Sequence, residues 1–442
     1  MIKKLFYLLT LFASVLAGTV QAQEFLGTKS LYQAPAQTQT PVPAGYKAVF
    51  INHVGRHGAR HLTKEVNTSY AYNLLIKADS AKALTPKGEA LLKMVKALDV
   101  VERGKVKSIS AEGIQELQDI GERMYMQNPT VFAGAPKLNI TETKEIRTKQ
   151  SADAFLTGLR KGFTAEPVIK EYIDDTDLRF YDFSPTYTQY EDDGPWVKYR
   201  EAIAKQNHLT DVYNATTQRF FKPKFLKTLS AANREKLVSD VYGFYAITFS
   251  LKHEISKIGL KQADVAFNML FIPSEMKALS KIEEADDFYA KGPGIDPNGI
   301  QVRIAAPLLV DFINTSDEFV KNGTYNANLR FAHAETVSPI ATLMDIDIAS
   351  RYAFITDVHG VWQAANVIPL SANIQWIFYK NNAGNYLVKV LLNEKEVHIL
   401  SVKTTTYPYY NWGDLRKFYT AKLKSLNVGL TDDMSAYLKN VK

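Results

Sequence analysis

One histidine of this chain stands between two arginines in a short segment that contains two glycines. Residues 52–60 read NHVGRHGAR, so that Arg56 precedes His57 directly and Arg60 follows it by three positions. A neutral imidazole can attack phosphorus, and guanidinium groups bind the non-bridging oxygens in fork geometry while they neutralise charge. The segment therefore contains the residue types that a covalent phosphoryl-transfer site needs.

An apolar run precedes this segment and places it where a strand ends. The run Lys47–Ile51 is short and partly β-branched, as buried strands are. Gly55 and Gly58 are expected to stop the regular structure and to let the backbone approach a ligand. If Thr63 caps a helix over Glu65–Ile76, the positive end of that helix dipole would add to an anion site.

Two other interpretations compete with this one. His53, His57 and His61 are four residues apart, which on a helix would align three metal ligands. The two glycines disfavour a helix here, and the neighbouring arginines would repel a cation, so we expect no metal. The second alternative is a basic turn that contains a hydrogen-bonded structural histidine.

A second histidine and a carboxylic acid stand far downstream, again after an apolar run. Residues 328–336 read NLRFAHAET, and a helical pattern opens at Pro339. In α/β proteins ligands gather at the carboxyl ends of strands, so both segments can face one crevice. There His333 would hold a phosphoryl oxygen and Glu335 would protonate the departing oxygen as general acid. Alternatively, Glu335 is an ordinary first-turn residue that the helix dipole favours.

A third segment lies between these two and contributes an arginine at a helix start. Residues 143–159 read TKEIRTKQSADAFLTGL, with apolar residues at helical spacing after Arg147. From the first turn of such a helix, Arg147 can point into the same pocket, although solvation at the surface is the ordinary state of an arginine. The interpretation of each segment depends on the other two.

Together the three segments resemble the histidine phosphatase superfamily in its acid phosphatase branch, and most closely the multiple inositol polyphosphate phosphatases. That family carries Arg-His-Gly-x-Arg, a later arginine followed by Ser-Ala and an apolar helix, and a distal His-Ala-Glu. The resemblance implies that His57 is phosphorylated and that Glu335 donates a proton, without a metal or other cofactor. It also implies a phosphate pocket of four side chains: Arg56, Arg60, Arg147 and His333.

The distal tripeptide indicates the substrate class. Most acid phosphatases place His-Asp there, whereas residues 333–335 are His-Ala-Glu, so the resemblance implies inositol polyphosphates such as phytate. A broad-specificity histidine acid phosphatase that acts on sugar phosphates or other monoesters is the first alternative. An inactive phosphate-binding protein is the second. The chain departs from the family at Leu62, where proline is common, and at Ser184, where many relatives have cysteine.

The amino terminus indicates an exported protein. A basic start and an apolar stretch to Ala17 resemble a secretory signal peptide over residues 1–22, with a retained anchor as the alternative. Residues 23–46 are rich in Gln, Thr and Pro, which predicts a flexible leader. The chain has no cysteine, which excludes disulfides and a lipidated cysteine. We therefore expect a periplasmic or secreted bacterial protein with no membrane insertion after signal removal.

Alternating helical patterns and short apolar runs predict an α/β fold. We expect a three-layer core with a central, mostly parallel sheet flanked by helices, built from residues 47–175 and 323–442. Residues 176–322 are expected to form a mainly helical insertion and one wall of the cleft. The net charge of +7 over 442 residues suits an anionic small substrate, while the scattered lysines and the lack of a recognised motif disfavour nucleic acid.

Overall fold

The computed structural model describes residues 25–353 and 358–442. The predicted signal peptide, residues 1–22, lies outside these ranges. Within them, no helix combines the length and the apolar character that crossing a bilayer requires.

A sheet of eight strands forms the middle layer of the described chain. Its strands are β1 (Tyr46–Arg56), β2 (Lys137–Glu142), β3 (Val168–Ile173), β4 (Ala327–Ala332), β5 (Asn373–Asn381), β6 (Tyr386–Leu392), β7 (Lys395–Glu396) and β8 (Tyr409–Asn411). The order is β3-β2-β4-β1-β5-β6-β7, with β8 beside β6. The first four strands in this order pair in parallel, and β5 to β8 add antiparallel pairs. The predicted α/β class with a mostly parallel central sheet is confirmed.

Helices lie on both faces of this sheet. Those before β4 are α1 (Tyr70–Ser80), α2 (Pro86–Glu102), α3 (Ala111–Gln127), α4 (Ile146–Leu159), α5 (Asp175–Leu178), α6 (Pro185–Asp193), α7 (Val197–Gln206), α8 (Leu209–Phe220), α9 (Pro223–Leu226), α10 (Ala231–Thr248), α11 (Lys252–Lys257), α12 (Pro273–Lys291), α13 (Ile300–Arg303) and α14 (Ala306–Asn322). Those after it are α15 (Ala334–Leu343), α16 (Asp347–Ser350), α17 (Ala364–Val367), α18 (Trp412–Ser425) and α19 (Met434–Asn440).

Successive side chains of the strands pack into two separate apolar cores, because they point to opposite faces of the sheet. Ile51 of β1 and Phe331 of β4 belong to the core that α3 and α4 cover, where Phe155 packs. Phe50 faces the other core, and its ring stacks on that of Phe319 in α14 with 4.4 Å between centroids. The sheet is therefore the middle of three layers.

The second core continues into a wall of helices at one side of the sheet. Residues 175–322 form helices and connecting turns without a strand among them. Helices α1 and α2, which precede β2, pack against α10 and α8 of this wall. The wall therefore includes residues 70–102 in addition to the segment that the sequence predicts to be helical.

Residues 25–45, which the sequence predicts to form a flexible leader, contact the folded chain at several points. Leu26 is fully buried. The Tyr32 hydroxyl donates to Glu394 Oε2 at 2.9 Å, and the Thr40 backbone N–H donates to Glu396 Oε1 at 2.7 Å. Local composition suggested disorder because the segment has few apolar residues. Its partners, however, come from the far end of the chain, where composition cannot reveal them.

The strand before the first motif is longer than predicted. β1 continues from the apolar run to Arg56, so Gly55 lies inside the strand and does not end it. Gly55 pairs with Phe331 on one side and with Asn373 on the other. Because both neighbours continue the sheet here, backbone pairing outweighs the local cost of glycine in a strand.

The helix after the first motif begins later than predicted. α1 starts at Tyr70, and Ser69 caps it by accepting a hydrogen bond from the Tyr72 backbone N–H at 3.1 Å. Thr63 is exposed in the preceding turn. The prediction that Thr63 caps a helix is therefore wrong. Serine and threonine are both good caps, and the buried face that begins at Ala71 decides between them.

Candidate active site

Three neighbouring strands bring the predicted site residues to one edge of the sheet. The last residue of β1, Arg56, pairs with the last residue of β4, Ala332. His57 and His333 therefore leave adjacent parallel strands side by side, and the His57 backbone N–H donates to the Ala332 carbonyl at 2.9 Å. β2 pairs with the other side of β4, so Arg147, in the first turn of α4, reaches the same edge.

The His57 imidazole is buried and held in one orientation. Its Nδ1 lies 3.0 Å from the carbonyl oxygen of Gly58, which can only accept, so we assign the proton to Nδ1 and a lone pair to Nε2. Burial and the nearby guanidinium groups of Arg56 and Arg60 hold the pKa of His57 well below its usual value. A neutral imidazole with an available nitrogen is the form that attacks phosphorus.

The loop that carries His57 packs directly on the start of α3. A Cβ on Gly58 would lie 2.8 Å from the Gly113 carbonyl oxygen, and a Cβ on Gly113 would lie 2.1 Å from that of Ala59. Both positions therefore require glycine. Glu116, in the same helix, accepts a hydrogen bond from the Ala59 backbone N–H at 3.1 Å. These contacts fix the loop, which leaves His57 little freedom to move.

Three arginines, one buried and two half-buried, crowd positive charge at this edge. Arg56 is 5% exposed, and its Nη1 donates to the carbonyls of Thr28 and Ile368, both at 2.6 Å. The Nε atoms of Arg56, Arg60 and Arg147 are buried without a hydrogen-bond partner in the described chain. Burial, followed by repulsion from Arg56 and Arg147, lowers the pKa of Arg60 to about 10. An anion among these groups would satisfy the donors and relieve the repulsion.

His333 is held between a guanidinium and a hydroxyl. Arg147 Nη2 lies 3.2 Å from His333 Nδ1, and His333 Nε2 lies 3.0 Å from Thr143 Oγ1. A guanidinium can only donate, so Nδ1 accepts and the Nε2–H donates to the hydroxyl. Burial and the charge of Arg147 lower the pKa of His333 to about 3. The ring is therefore neutral, with its centroid 5.6 Å from that of His57.

Glu335 lies in the first turn of α15 and contacts a lysine from the wall of helices. Lys291 Nζ donates to Glu335 Oε1 at 2.9 Å, and the same ammonium lies 2.9 Å from Asp287 Oδ1. Burial acts to raise the pKa of Glu335, but the ammonium of Lys291 holds it well below its usual range. The protein's own groups therefore keep this carboxyl ionised, whereas a general acid must be protonated.

Comparison with known protein families identifies the superfamily of this chain. The model of the histidine phosphatase superfamily, branch 2, matches residues 49–393. The chain belongs to this superfamily. The resemblance inferred from the three sequence segments is thus confirmed at this level. No curated protein sequence matches the chain.

Solved structures share the histidine phosphatase fold of this chain. The multiple inositol polyphosphate phosphatase of Bifidobacterium longum, in complex with inositol hexasulfate, has a TM-score of 0.77 at 20% identity, over 90% of this chain and 97% of that one. The phytase from D. castellii has a TM-score of 0.68 at 15% identity, over 95% of this chain and 92% of that one. At these identities, the comparisons establish the common fold.

Sequence reasoning missed three side chains that touch the predicted site residues, Thr143, Glu145 and Lys291, and a fourth, Arg179, that reaches them through Glu145. Glu145 accepts from Arg147 at 2.7 Å and from Arg179 at 2.8 Å, and thereby links two cations. Arg179 lies in residues 178–182, LRFYD, a segment that also resembles the inositol polyphosphate phosphatases and could have indicated this arginine. Lys291 carries no such signal, because it ends a helix 44 residues before its partner.

The three histidines spaced by four residues reach three different environments. His53 lies in the apolar core, its ring centroid 5.3 Å from that of Phe155. His61 Nδ1 lies 3.1 Å from Glu102 Oε2. Because His57 faces the arginines instead, the three rings do not form one ligand set. Within the described ranges, no group of three or more His, Asp or Glu side chains could hold a metal ion.

Proposed function

We propose that this histidine phosphatase hydrolyses the phosphate monoesters of inositol polyphosphates such as phytate, through a phosphohistidine at His57. The observation that carries this proposal is a neutral, oriented imidazole with an available Nε2 beside three arginines whose Nε atoms are buried. Such a group can form a bond to phosphorus, and the guanidinium groups can stabilise the charge that develops on the phosphoryl oxygens. Both features are needed for covalent phosphoryl transfer.

The proposed reaction has two half-reactions. In the first, His57 Nε2 attacks phosphorus and the ester P–O bond breaks, while protonated Glu335 gives its proton to the leaving oxygen. In the second, water attacks the phosphorus, the Glu335 carboxylate takes a proton from that water, and the N–P bond breaks to release orthophosphate. Three arginines and His333 hold the phosphoryl oxygens in both steps.

Two observations support an inositol polyphosphate as the substrate. The His-Ala-Glu tripeptide at 333–335 distinguishes the inositol polyphosphate phosphatases from most acid phosphatases in the resemblance described above. Beyond the three-arginine pocket, Arg179 and Lys291 are paired with carboxylates of the chain, and these cations can exchange those partners for the phosphates that are not being cleaved. A monoester offers no second phosphate for this exchange.

The test compares inorganic phosphate release from phytate and from p-nitrophenyl phosphate, with chelator present. We expect chelator-resistant release that favours phytate and that His57→Ala abolishes. His253→Ala removes an exposed histidine and serves as the control. Faster turnover of the aryl ester would replace the substrate assignment with a broad-specificity acid phosphatase, and release unaffected by His57→Ala would refute the mechanism.

We also propose that the protein is exported to the periplasm or the medium after cleavage behind Ala22. The support is the basic and apolar start of the sequence. Amino-terminal sequencing of protein from the periplasmic fraction is expected to read Gln23 first. A start at Met1 in the cytoplasmic fraction would contradict export.

A further inference from the structure

We propose that Lys291 makes Glu335 available as a proton donor only when the bound substrate carries more than one phosphate group. The lysine would then be a positioning residue that determines specificity. This inference rests on the proposed function, since it concerns how the carboxyl of the same reaction acquires its proton.

The geometry places one ammonium between two carboxylates from different elements. Lys291 is the last residue of α12 in the wall of helices, and Asp287 stands one turn before it. The Lys291 Nζ is 2.9 Å from Glu335 Oε1 and 2.9 Å from Asp287 Oδ1. The Lys291 side chain is 16% exposed, whereas that of Glu335 is 34% exposed. A ligand can therefore reach the carboxyl while Asp287 anchors the ammonium from behind.

Further titratable side chains of the described chain interact electrostatically with Glu335, among them Arg56, Arg60, Tyr181, Tyr187, Glu191 and His333. The two arginines are cationic. Burial raises the pKa of both tyrosines, and burial with Arg147 lowers that of His333, so these three side chains are neutral. Glu191 of α6 faces the pair with a carboxyl whose pKa burial raises. Among the cations, Lys291 contacts the Glu335 carboxylate directly.

A substrate with several phosphates changes the electrostatic environment of Glu335 in two ways. One phosphate occupies the arginine pocket, and a neighbouring phosphate brings further negative charge to the cleft beside Lys291. The ammonium is attracted to that phosphate through charge-assisted hydrogen bonds and releases Glu335 Oε1. The added negative charge also favours the neutral carboxyl, which takes its proton from solvent.

A monoester with a single phosphate lacks the second of these charges. Its one phosphate is held by the arginines, so Lys291 stays with Glu335 and the carboxyl stays ionised. The leaving oxygen must then depart without a proton, which is slow for an alkoxide and tolerable for a nitrophenolate. Discrimination would thus depend on the leaving group as well as on the number of phosphates.

The experiment measures kcat/KM against pH for Lys291→Met with three substrates: phytate, β-glycerophosphate and p-nitrophenyl phosphate. Because kcat/KM reports the protonation states of the enzyme before substrate binds, its decline on the high-pH side of the profile, called the alkaline fall below, follows loss of the proton from Glu335. With β-glycerophosphate we expect this fall to move up by about one pH unit, equivalent to about a tenfold gain in the protonated carboxyl. With phytate we expect kcat/KM to fall about tenfold, and with the nitrophenyl ester we expect kcat/KM to change little.

Two further variants keep the test decisive. Lys277→Met removes an exposed lysine from the same helix, and we expect it to match the original protein on all three substrates. Asp287→Asn keeps Lys291 but removes one of the two carboxylates that bind its ammonium. The ammonium should then bind Glu335 more firmly. Asp287→Asn should therefore move the alkaline fall with β-glycerophosphate to lower pH, whereas Lys291→Met moves it to higher pH. If Lys291→Met does not fold, Asp287→Asn alone tests the role of Lys291.

The outcomes separate the two proposals. If the unaltered enzyme releases no phosphate from phytate, the proposed function fails. If it does, and Lys291→Met lowers all three rates equally without moving the alkaline fall, the lysine has a structural role and the inference is overturned alone. Identical pH dependence in Lys291→Met and Asp287→Asn would overturn it as well.

Discussion

Arg147 Nη2 lies 3.2 Å from His333 Nδ1, so a cation that follows β2 donates a hydrogen bond to a neutral histidine that follows β4. The lone pair of Nδ1 is thus directed at Arg147 while the Nε2 proton is directed at Thr143. For His333 to donate through Nδ1 to a phosphate oxygen, its proton must change nitrogen. A threonine hydroxyl permits this change, because it can either accept from Nε2 or donate to it.

The first prediction concerns this hydroxyl. Thr143→Val should lower kcat/KM for phytate about tenfold, because a buried ring nitrogen left without a partner costs about 1–3 kcal/mol. Thr143→Ser keeps the hydroxyl and should stay close to the original value. The measurement is steady-state phosphate release. A valine variant as active as the serine variant would show that His333 needs no partner at Nε2.

The second prediction concerns the arginines as an anion site. Inorganic phosphate should stabilise the folded protein by about 2.7 kcal/mol at a hundred times its dissociation constant, because only the folded chain forms the site. Arg147→Ala should remove most of this gain in thermal unfolding with and without phosphate. Arg160→Ala, at the other end of the same helix and paired with Glu166, should retain it. If phosphate stabilised both variants equally, phosphate would bind at a site that does not include Arg147.

The third prediction concerns acid stability and His53. Burial, with a contribution from Arg330, lowers the pKa of this histidine from 6.5 to about 3 in the folded protein. Below pH 6.5 the unfolded chain binds a proton that the folded chain does not, so the unfolding free energy falls as pH falls, down to about pH 3. Between pH 7 and 5 the loss from His53 is about 2 kcal/mol.

His53→Gln should reduce this pH dependence by the same amount. Urea unfolding at pH 7 and pH 5 measures it, and the difference between the two pH values is compared between variants, so that a constant destabilisation cancels. The exposed His253→Gln should leave the difference unchanged. An unchanged difference in His53→Gln would mean that the unfolded and folded chains titrate this histidine alike.

The sequence predicts from the apolar runs that each histidine motif follows a buried strand, although β1 continues to Arg56, beyond the predicted end of its strand. His57 and His333 come from such positions, and their proximity follows from parallel pairing of β1 and β4. The partner of Glu335 could not be predicted in this way. Lys291 approaches from a helix whose place depends on packing of the whole wall, and no local pattern encodes a contact over 44 residues.

The last prediction tests a boundary that sequence and structure place differently. The Ser69 hydroxyl accepts a hydrogen bond from the Tyr72 backbone N–H at the start of α1, whereas Thr63 is exposed in a turn. Ser69→Ala should therefore lower the unfolding free energy by about 1 kcal/mol. Thr63→Ala should change it by less than about 0.5 kcal/mol, as surface substitutions do. Urea unfolding at neutral pH compares the two, and a larger loss for Thr63→Ala would contradict the position of the cap.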